Sequence, residues 1–452
     1  MAVSTWPAWA MRLFGGLLAG CGGIRCARRM VTMQHAGTNK TSSKVEGSKV
    51  REFRAFQLEY LLVYLTVMLA DWLQGTNMYT LYSGYGFPVS QLFLTGFSSS
   101  LVFGTFVGLL VDRYGRRLAC IAFCVLEIII NLLEHVPHMP TLLFGRCLGG
   151  VSTSLLFSAF ESWMVSEHRR RGFDEEWLAS TFSLAAAGNG IVAVIAGFLA
   201  QVAADLQGDI GPFRLAILLT VLSLCLVAFW PENYGQQAKT TSSLGPARQS
   251  FVDARRAISA DTRVALLACV AALFEGATFT FVFMWVPTLL GKYDGALPMG
   301  LVFACFMISI AAGGELFGLL VADANALVFK GRVERFAFFV LAAASAAMIV
   351  PSPPGASFAA TLASFLVLEV CVGTFNGCAA TMRSKYIPDA LQGSIMNVSR
   401  IPLNLLVVAG TTMADIAPPT VTFSVVSATF ALGALLQLLL IQAQRRQAVK
   451  AD

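Results

Sequence analysis

The sequence has little charge for its length. Only 13% of its 452 residues are Asp, Glu, Lys or Arg, whereas 56% are hydrophobic. Soluble domains carry about 25% charged residues, so this chain cannot cover the surfaces of the two or three soluble domains that its length would otherwise predict. The high hydrophobicity excludes a disordered chain. The sparse Lys and Arg residues form no dense basic face, which argues against nucleic acid as a partner.

Side chains that carry enzyme chemistry are also scarce. There are four His, and His135 and His138 fall in a short loop where a hydrated turn is favoured over a metal site. The sequence has no Gly-x-Ser-x-Gly, phosphate-loop or His-Glu-x-x-His motif. Eight of the ten Cys lie in apolar stretches, and Cys21 and Cys26 have no ligand cluster beside them. We therefore expect no enzyme activity, no metal and no cofactor.

Long apolar runs, in contrast, are frequent. About 20 apolar residues cross a hydrocarbon core, and twelve such segments follow one another after residue 56. The longest polar interruption divides them six and six. This pattern predicts an all-α polytopic membrane protein with an N-terminal segment (1–56), an N-terminal six-helix half (57–230), a central cytosolic loop (231–263), a C-terminal six-helix half (264–443) and a cytosolic tail (444–452).

The basic residues lie mostly on one side of these segments. If the chain before residue 57 is cytoplasmic, 27 of the 32 Lys and Arg residues are cytoplasmic, and only Arg214 and Lys292 lie opposite. Basic loops stay in the cytoplasm, so both ends of the twelve-helix core are predicted to be cytoplasmic. The other three basic residues, Arg12, Arg146 and Arg400, fall inside apolar stretches.

The N-terminal segment contains a mostly apolar stretch at residues 6–24. It has three interpretations: an extra helix or interfacial anchor, which we favour, a signal-type segment, or an organellar transit peptide.

Faint internal repeats relate the two halves. Residues 108–111 read Gly-Leu-Leu-Val and recur at residues 318–321, an offset of 210. Asp71 corresponds to Glu275, an offset of 204. The pair Arg146 and Gly150 corresponds to Glu369 and Gly373, an offset of 223. These matches predict two pseudo-symmetric halves around a site near the middle of the membrane.

Ionisable side chains inside the apolar segments are functional candidates, because a bilayer makes them costly. Each could instead form an ion pair that fixes helix packing, but acids outnumber bases six to two. An acid beside Gly, as at Glu275, could carry a coupling proton; helix packing is the equal alternative. The eight groups are Asp71, Glu127, Arg146, Glu161, Glu275, Glu315, Glu369 and Arg400.

Arg146 shares one helix face with Thr153 and Glu161. Arg146 and Glu161 are fifteen residues apart, or about 22 Å along a helix, so they cannot pair. The small and hydroxylated residues between them suit close helix packing or a hydrated cavity equally.

Arg400 lies two residues before Pro402, which breaks the helical hydrogen-bond pattern and frees a carbonyl group. A planar guanidinium beside amide and hydroxyl side chains predicts an oxyanion site. The alternative is a kink with Arg400 paired to Asp71 or Glu161.

Residues 108–117, Gly-Leu-Leu-Val-Asp-Arg-Tyr-Gly-Arg-Arg, resemble the signature loop of the major facilitator superfamily between its second and third helices. The resemblance implies a 6+6 transmembrane helix bundle in which this loop latches one conformation. In the second half Asp323 is shifted by one position and no Gly-Arg-Arg follows, so we expect no symmetric second latch. The gating residues implied here are Gly108, Asp112, Arg113, Gly115, Arg116 and Arg117.

Further blocks are similar to the molybdate-anion transporter family of this superfamily. The family implies uptake of molybdate at the cell membrane by alternating access, with the two halves rocking around the site. The blocks cover nearly the whole twelve-helix core: Ala-Asp-Trp-Leu-Gln at 70–74, residues 148–153 and 155–163, Pro-Glu-Asn-Tyr at 231–234, residues 273–275 and 281–283, and residues 387–388 with 400–403.

A dianion in a low-dielectric cavity needs positive charge and N–H donors. On this resemblance we expect Arg400 and Arg146 to bind molybdate, with help from Arg383 at the cytosolic end. The expected neutral donors are Asn189, Asn397 and Asn404. Four acids would hold the arginines or carry protons: Asp71, Glu161, Glu275 and Glu369.

Two other functions remain as alternatives. One is a proton-coupled transporter of another small anion or organic solute, which the intramembrane acids favour. The other is a non-transporting membrane sensor or scaffold, against which the short tails argue. We further expect a monomer, with the lipid bilayer as its surroundings and the cell membrane as its location; an internal organelle membrane is the alternative.

Overall fold

The fold is all-helical in the computed structural model, which describes residues 6–33, 46–234, 255–321, 327–329, 331–387 and 389–451. The all-α architecture predicted from the sequence is confirmed. One helix, α1, precedes the twelve apolar segments, which are occupied by α2–α13. The bounds are α1 (Ala8–Met33), α2 (Glu46–Gly84), α3 (Val89–Tyr114), α4 (Arg116–Leu133), α5 (Met139–Arg170), α6 (Glu175–Gln207), α7 (Gly211–Val227), α8 (Thr262–Leu290), α9 (Met299–Leu320), α10 (Val333–Ile349), α11 (Phe358–Tyr386), α12 (Asp389–Ile416) and α13 (Pro419–Ala451).

Seven helices in the described part of the chain are long and apolar enough to cross a membrane. They are α2, α5, α6, α8, α9, α11 and α13. Shorter apolar stretches at Val89–Gly104, Gly211–Val227 and Pro402–Ala414 belong to α3, α7 and α12.

Local sequence determines where several helices begin and end. Asp261 caps α8 by accepting from the backbone N–H of Arg263, and Ser357 caps α11 by accepting from that of Ala360. The hydrogen bond from the Arg263 side chain also holds the pKa of the Asp261 carboxyl below its usual range. Gly115 separates α3 from α4 with φ of 115°, a left-handed conformation that disfavours other residues.

The chain forms two compact units. Unit 1 comprises Met1–Met11, Thr38–Thr241 and Pro298–Ala304; unit 2 comprises Arg12–Gly37, Ser242–Leu297 and Cys305–Asp452. The boundaries expected from sequence, 57–230 and 264–443, remain predictions, because these units also divide α1 and α9. In unit 1 the start of α9 packs on α6, where the Gly300 N–H donates to Gln201 Oε1 at 3.0 Å.

Most helices of the two units have corresponding neighbours. In unit 1, α2 packs on α6 and α7, α4 packs on α5 and α7, and α3 packs on α5. In unit 2, α8 packs on α12 and α13, and α10 packs on α11 and α13. Adding six to the helix numbers of the unit 1 pairs, except α3 with α5, gives these four unit 2 pairs. The pseudo-symmetric halves predicted from the faint repeats are therefore present.

Each unit has a tightly packed aromatic core. In unit 1, Trp163 stacks on Trp230 with ring centroids 3.7 Å apart. In unit 2, Phe274 stacks on Phe375 at 3.9 Å and meets Phe430 edge-on at 5.3 Å. Aromatic pairs of this kind add about 0.5–1.5 kcal/mol beyond the burial of their area.

Glycines allow a close helix crossing in each unit. A Cβ on Gly150 of α5 would meet the backbone nitrogen of Ser100 on α3, and one on Gly373 of α11 would meet the backbone oxygen of Ile310 on α9. Ser100 and Ile310 differ by 210, and Gly150 and Gly373 by 223. These are the offsets of the sequence repeats, so the repeat preserves a contact between backbones.

The helix α1 contacts both units at its two ends. In unit 1, the Trp6 indole N–H just before α1 donates to Asp205 at 2.7 Å. In unit 2, Arg28 near the other end of α1 forms an ion pair with Glu315 at 3.0 Å, and Arg25 lies 3.8 Å from the same carboxylate. Glu315, one of the intramembrane acids, is thus paired with α1.

We expect Gly150→Ala to destabilise the protein by about 1–3 kcal/mol, because the added methyl group must displace the α3 backbone. The matched control is Gly149→Ala, since a Cβ at Gly149 meets nothing within 4 Å. That change should be neutral or stabilising by up to about 1 kcal/mol through helix propensity. Thermal unfolding of the purified variants in detergent measures both effects, and equal melting temperatures would contradict the crossing.

Candidate functional site

Arg146 is already engaged in an ion pair. Its Nη2 lies 2.8 Å from Glu134 Oε1, and the side chains of Arg146 and Glu134 are 13% and 1% exposed. Tyr82 donates to the same carboxylate oxygen at 2.8 Å, and the guanidinium lies over the Tyr82 ring at 5.8 Å. Of the two interpretations offered for Arg146 in the sequence analysis, the structure therefore agrees with the ion pair that fixes helix packing.

Sequence reasoning did not identify Glu134 as this partner. Glu134 is the C-cap residue of α4 and is not among the eight ionisable groups selected from the apolar segments. Because α4 and α5 are antiparallel neighbours, a residue at the end of α4 meets the first turns of α5. The separation of twelve positions between Glu134 and Arg146, a short turn followed by two helical turns, was the available signal.

Several of the predicted polar residues of unit 1 cluster on α2, α5 and α6. Tyr64 lies within electrostatic reach of both Glu161 and Asp71. The Trp72 indole N–H donates to Asn189 Oδ1 at 2.9 Å. Glu161 and its face neighbour Phe157 are exposed, the latter by 66%. An exposed carboxylate inside a membrane span requires water rather than lipid around it, so this face of unit 1 suits a hydrated pathway.

Unit 2 places the remaining predicted residues on three helices. Glu275 is exposed on α8, beside Gly276, which packs on Leu406 of α12. Glu369 is only 5% exposed on α11, whereas Arg383 on α11 and Asn404 on α12 are half-buried. The side chains of Asn397 and Arg400 lie outside the described part of the structure.

The gating loop is held by the block that follows α7. The Glu232 carboxylate accepts from the backbone N–H groups of Arg117 at 2.8 Å and Leu118 at 3.0 Å, in the first turn of α4. A Cβ on Gly115 would meet this carboxylate at 2.7 Å, so the loop needs Gly there. The Arg116 N–H donates to Asn233 O at 3.0 Å.

The side chains of the predicted gating residues differ in their environments. The Arg117 guanidinium donates to Ala228 O at 2.7 Å, and Arg113 is exposed. The surroundings of Gly108 and the side chain of Asp112 are outside the described part. Sequence reasoning noted Pro-Glu-Asn-Tyr at 231–234 only as a family block. An acid just past the end of a helix, near the start of another, was the signal for a cap.

Unit 2 closes the corresponding end differently. Glu334, at the start of α10 and 4% exposed, accepts from Lys385 Nζ at 2.6 Å and from the Tyr386 hydroxyl at 2.5 Å. Its backbone oxygen accepts from Gln437 Nε2 at 3.0 Å. The ion-pair cluster joins α10, α11 and α13 without a Gly-Arg-Arg loop.

Loss of the Arg146 charge should cost about 3–5 kcal/mol of stability in Arg146→Gln, because Glu134 is left buried and unpaired. The double variant Glu134→Gln with Arg146→Gln should recover most of that loss. Arg214→Gln serves as the control, since Arg214 is an arginine that contacts only exposed groups, Gln207 and His135. Thermal unfolding of the four proteins decides the point. A single variant as stable as the parent would show that the pair does not hold the helices.

Removal of the α4 cap in Glu232→Ala should lower stability by about 0.5–2 kcal/mol, as for other helix caps. Glu232→Gln keeps one acceptor oxygen, so its stability should lie between that of the parent and that of Glu232→Ala. Glu176→Ala, at an exposed acid of α6, is the control. Unfolding temperature and protease cleavage after Arg116 report on the loop, and an uncut, fully stable Glu232→Ala would contradict the role of the cap.

Comparison with known sequences identifies related membrane transporters. A family profile described as sugar transporters with 12 transmembrane segments matches residues 12–372. The molybdate-anion transporter of Xenopus tropicalis is 36% identical over 380 residues, covering 81% of this chain and 80% of the relative. The molybdate-anion transporter of Danio rerio is 31% identical over 425 residues, covering 87% and 85%.

Solved structures support the fold. The peptide transporter POT, in complex with sulfate, superposes with a TM-score of 0.68 at 11% identity and covers 86% of this chain and 94% of its own. The nucleoside transporter NupG superposes with a TM-score of 0.62 at 11% identity, covering 85% and 99%. At this identity the similarity concerns the fold alone.

Proposed function

Because this chain belongs to the molybdate-anion transporter family of the major facilitator superfamily, we propose that it is a secondary-active transporter that carries molybdate across the membrane by alternating access. The observation that carries the proposal is 31–36% identity with molybdate-anion transporters over most of both chains. The corresponding helix contacts in units 1 and 2 support alternating access, since secondary transporters usually move structural repeats of this kind against each other.

We assign the central positive charge of the molybdate site to Arg400. Arg146 is neutralised by Glu134 and retains less positive charge for a dianion. Arg383, half-buried near the end of α11, would add charge at the cytosolic end. Neutral N–H donors would complete the coordination without further charge: Asn189, Asn397 and Asn404.

Proton coupling is part of the same proposal. Uptake of a dianion against a negative-inside potential costs energy in proportion to its charge, and co-transported protons would offset that cost. Asp71, Glu161, Glu275 and Glu369 are the predicted acids for this purpose. We also propose that the protein acts as a monomer in the cell membrane, with both ends of the α2–α13 core in the cytoplasm.

Purified protein reconstituted in vesicles should take up molybdate, and faster with an inward proton gradient than without one. Tungstate, a similar tetrahedral oxyanion, should compete, whereas sugars and amino acids should not. Competition by a sugar would favour the alternative of an organic solute, in line with the description of the matching family profile. Correctly folded protein without molybdate flux would contradict the proposal.

Arg400→Ala should abolish molybdate uptake while the protein still inserts and folds, because it removes the guanidinium that we assign to the centre of the site. Arg400→Lys keeps the charge but not the planar donors, so it should retain only part of the uptake. Arg214→Gln is again the matched control and should transport normally. Normal uptake by Arg400→Ala would remove Arg400 from the site.

A further inference from the structure

Glu127 is a buried carboxylate that the assignments above do not use. It lies on α4, eleven residues after the helix begins and about 16 Å along its axis, and is 7% exposed. Its Oε1 accepts from Ser152 of α5 at 2.6 Å, and its Oε2 accepts from Gln74 Nε2 of α2 at 2.9 Å. One carboxyl group thus connects three helices of unit 1.

The partners of Glu127 are neutral. Within the described residues no Lys or Arg forms an ion pair with it, and its remaining neighbour, Asn131 Nδ2, lies at 3.5 Å. Among the other buried carboxylates of these residues, Glu134 has Arg146 and Glu334 has Lys385, whereas Glu369 of α11 forms no ion pair. Glu127 therefore joins helices through neutral donors instead of a cation.

The charged groups around Glu127 make a second negative charge unfavourable. From α2 it interacts with Asp71, an acid of the same sign. From α5 it interacts with Arg146, whose charge Glu134 already balances. On α4 itself Cys124 is the ionisable neighbour. Two carboxylates in a low-dielectric interior do not both stay charged without a cation.

In the described residues, no basic side chain of the other helices packed on α4 forms an ion pair with Glu127. The ionisable residues of α7 are Arg214, which contacts Gln207 and His135, and Cys225. The ionisable residues of α3 are residues 112–114, at its cytosolic end. They follow Ser99, which donates to the Cys147 carbonyl of α5, by more than two helical turns.

We propose that Glu127 is the residue that binds and releases the coupled proton in this transporter, with Asp71 as the second carboxylate of the site. The proposal rests on proton-coupled transport and deepens it by naming the proton-binding residue. Glu161 and Glu275, being exposed, can exchange protons with water at any time and are less suited to hold one through a transport cycle.

The hydrogen-bond partners suit both protonation states. The charged carboxylate accepts from Ser152 and Gln74. The neutral acid can donate to Ser152 instead, because a hydroxyl group both donates and accepts. Gln74 Nε2 also lies 3.4 Å from Ala70 O, so it keeps an acceptor when Glu127 is neutral. The carboxyl group of Glu127 thus keeps hydrogen-bond partners in both states.

A polar stripe leads from Glu127 to the end of α4. Asn131 and Glu134 follow it at four and seven residues, which places all three on one helix face. Asn131 Oδ1 and Glu134 Oε2 are buried and accept no hydrogen bond from the described residues, so both oxygens can accept hydrogen bonds from water molecules that carry the proton. By the distribution of basic residues this end of α4 faces away from the cytoplasm.

The test uses full-length protein in vesicles and separates gradient-driven uptake from molybdate exchange. In Glu127→Gln, uptake driven by a proton gradient should fall about ten-fold or more and lose its pH dependence, because the residue no longer takes up a proton. Exchange of labelled for unlabelled molybdate, which moves no net protons, should stay near the parental rate. Glu127→Asp should restore part of the driven uptake.

Glu315→Gln is the matched control, since it removes an intramembrane acid that is paired with Arg28, and it should keep the pH dependence. Gradient-driven, pH-dependent uptake by Glu127→Gln would overturn the proposal. Loss of both uptake and exchange in folded Glu127→Gln protein would also overturn it, by showing a structural role.

Infrared difference spectroscopy gives a readout that is independent of molybdate. A pH step should produce a protonated carboxyl band that is present in the parent and missing in Glu127→Gln. The same band in both proteins would overturn the assignment of Glu127. A Glu127 band in a parent that fails to move molybdate would instead contradict the substrate and leave the proton site supported.

Discussion

A hydrocarbon layer penalises every unpaired charge by several kcal/mol, and the arrangement of this protein follows from how each ionisable side chain meets that penalty. Arg146 and Glu134 cancel each other in a buried pair, and Glu315 is paired with Arg28 of α1. Glu161 stays exposed, which requires water. Within the described residues Glu127 is held by the neutral donors Gln74 and Ser152. Ion pairs and neutral hydrogen bonds thus both hold helices of this protein together.

The two units share a framework but close it by different chemistry. Both use the same helix neighbours and a glycine crossing, at Gly150 and at Gly373. Unit 1 has a glycine turn between α3 and α4 that is held by the Glu232 carboxylate, whereas unit 2 has the Glu334 and Lys385 pair between α10 and α11. A carboxylate that accepts from backbone N–H groups holds a turn, while an ion pair holds side chains. We therefore expect the two contacts to differ in the free energy needed to break them.

Much of the fold could be predicted because hydrophobic length and charge distribution are properties of the linear chain. The twelve apolar segments and the offset between Gly150 and Gly373 could be found in the sequence without knowledge of any tertiary contact. The site was harder. Arg146 was identified as a rare intramembrane base, but its partner Glu134 was not selected, because a hairpin brings together residues that the sequence separates. Glu232 was noticed only as part of a family block.

The sequence by itself determined that this chain is a helical membrane transporter of pseudo-symmetric halves, since the bilayer acts on composition and spacing directly. Family resemblance added the substrate. Only the tertiary structure decided which ionisable groups are neutralised, because pairing depends on distances of 3 to 4 Å between side chains of different helices. It thereby turned Arg146 from a free cation into one half of an ion pair, and distinguished Glu127 as a buried acid with neutral partners.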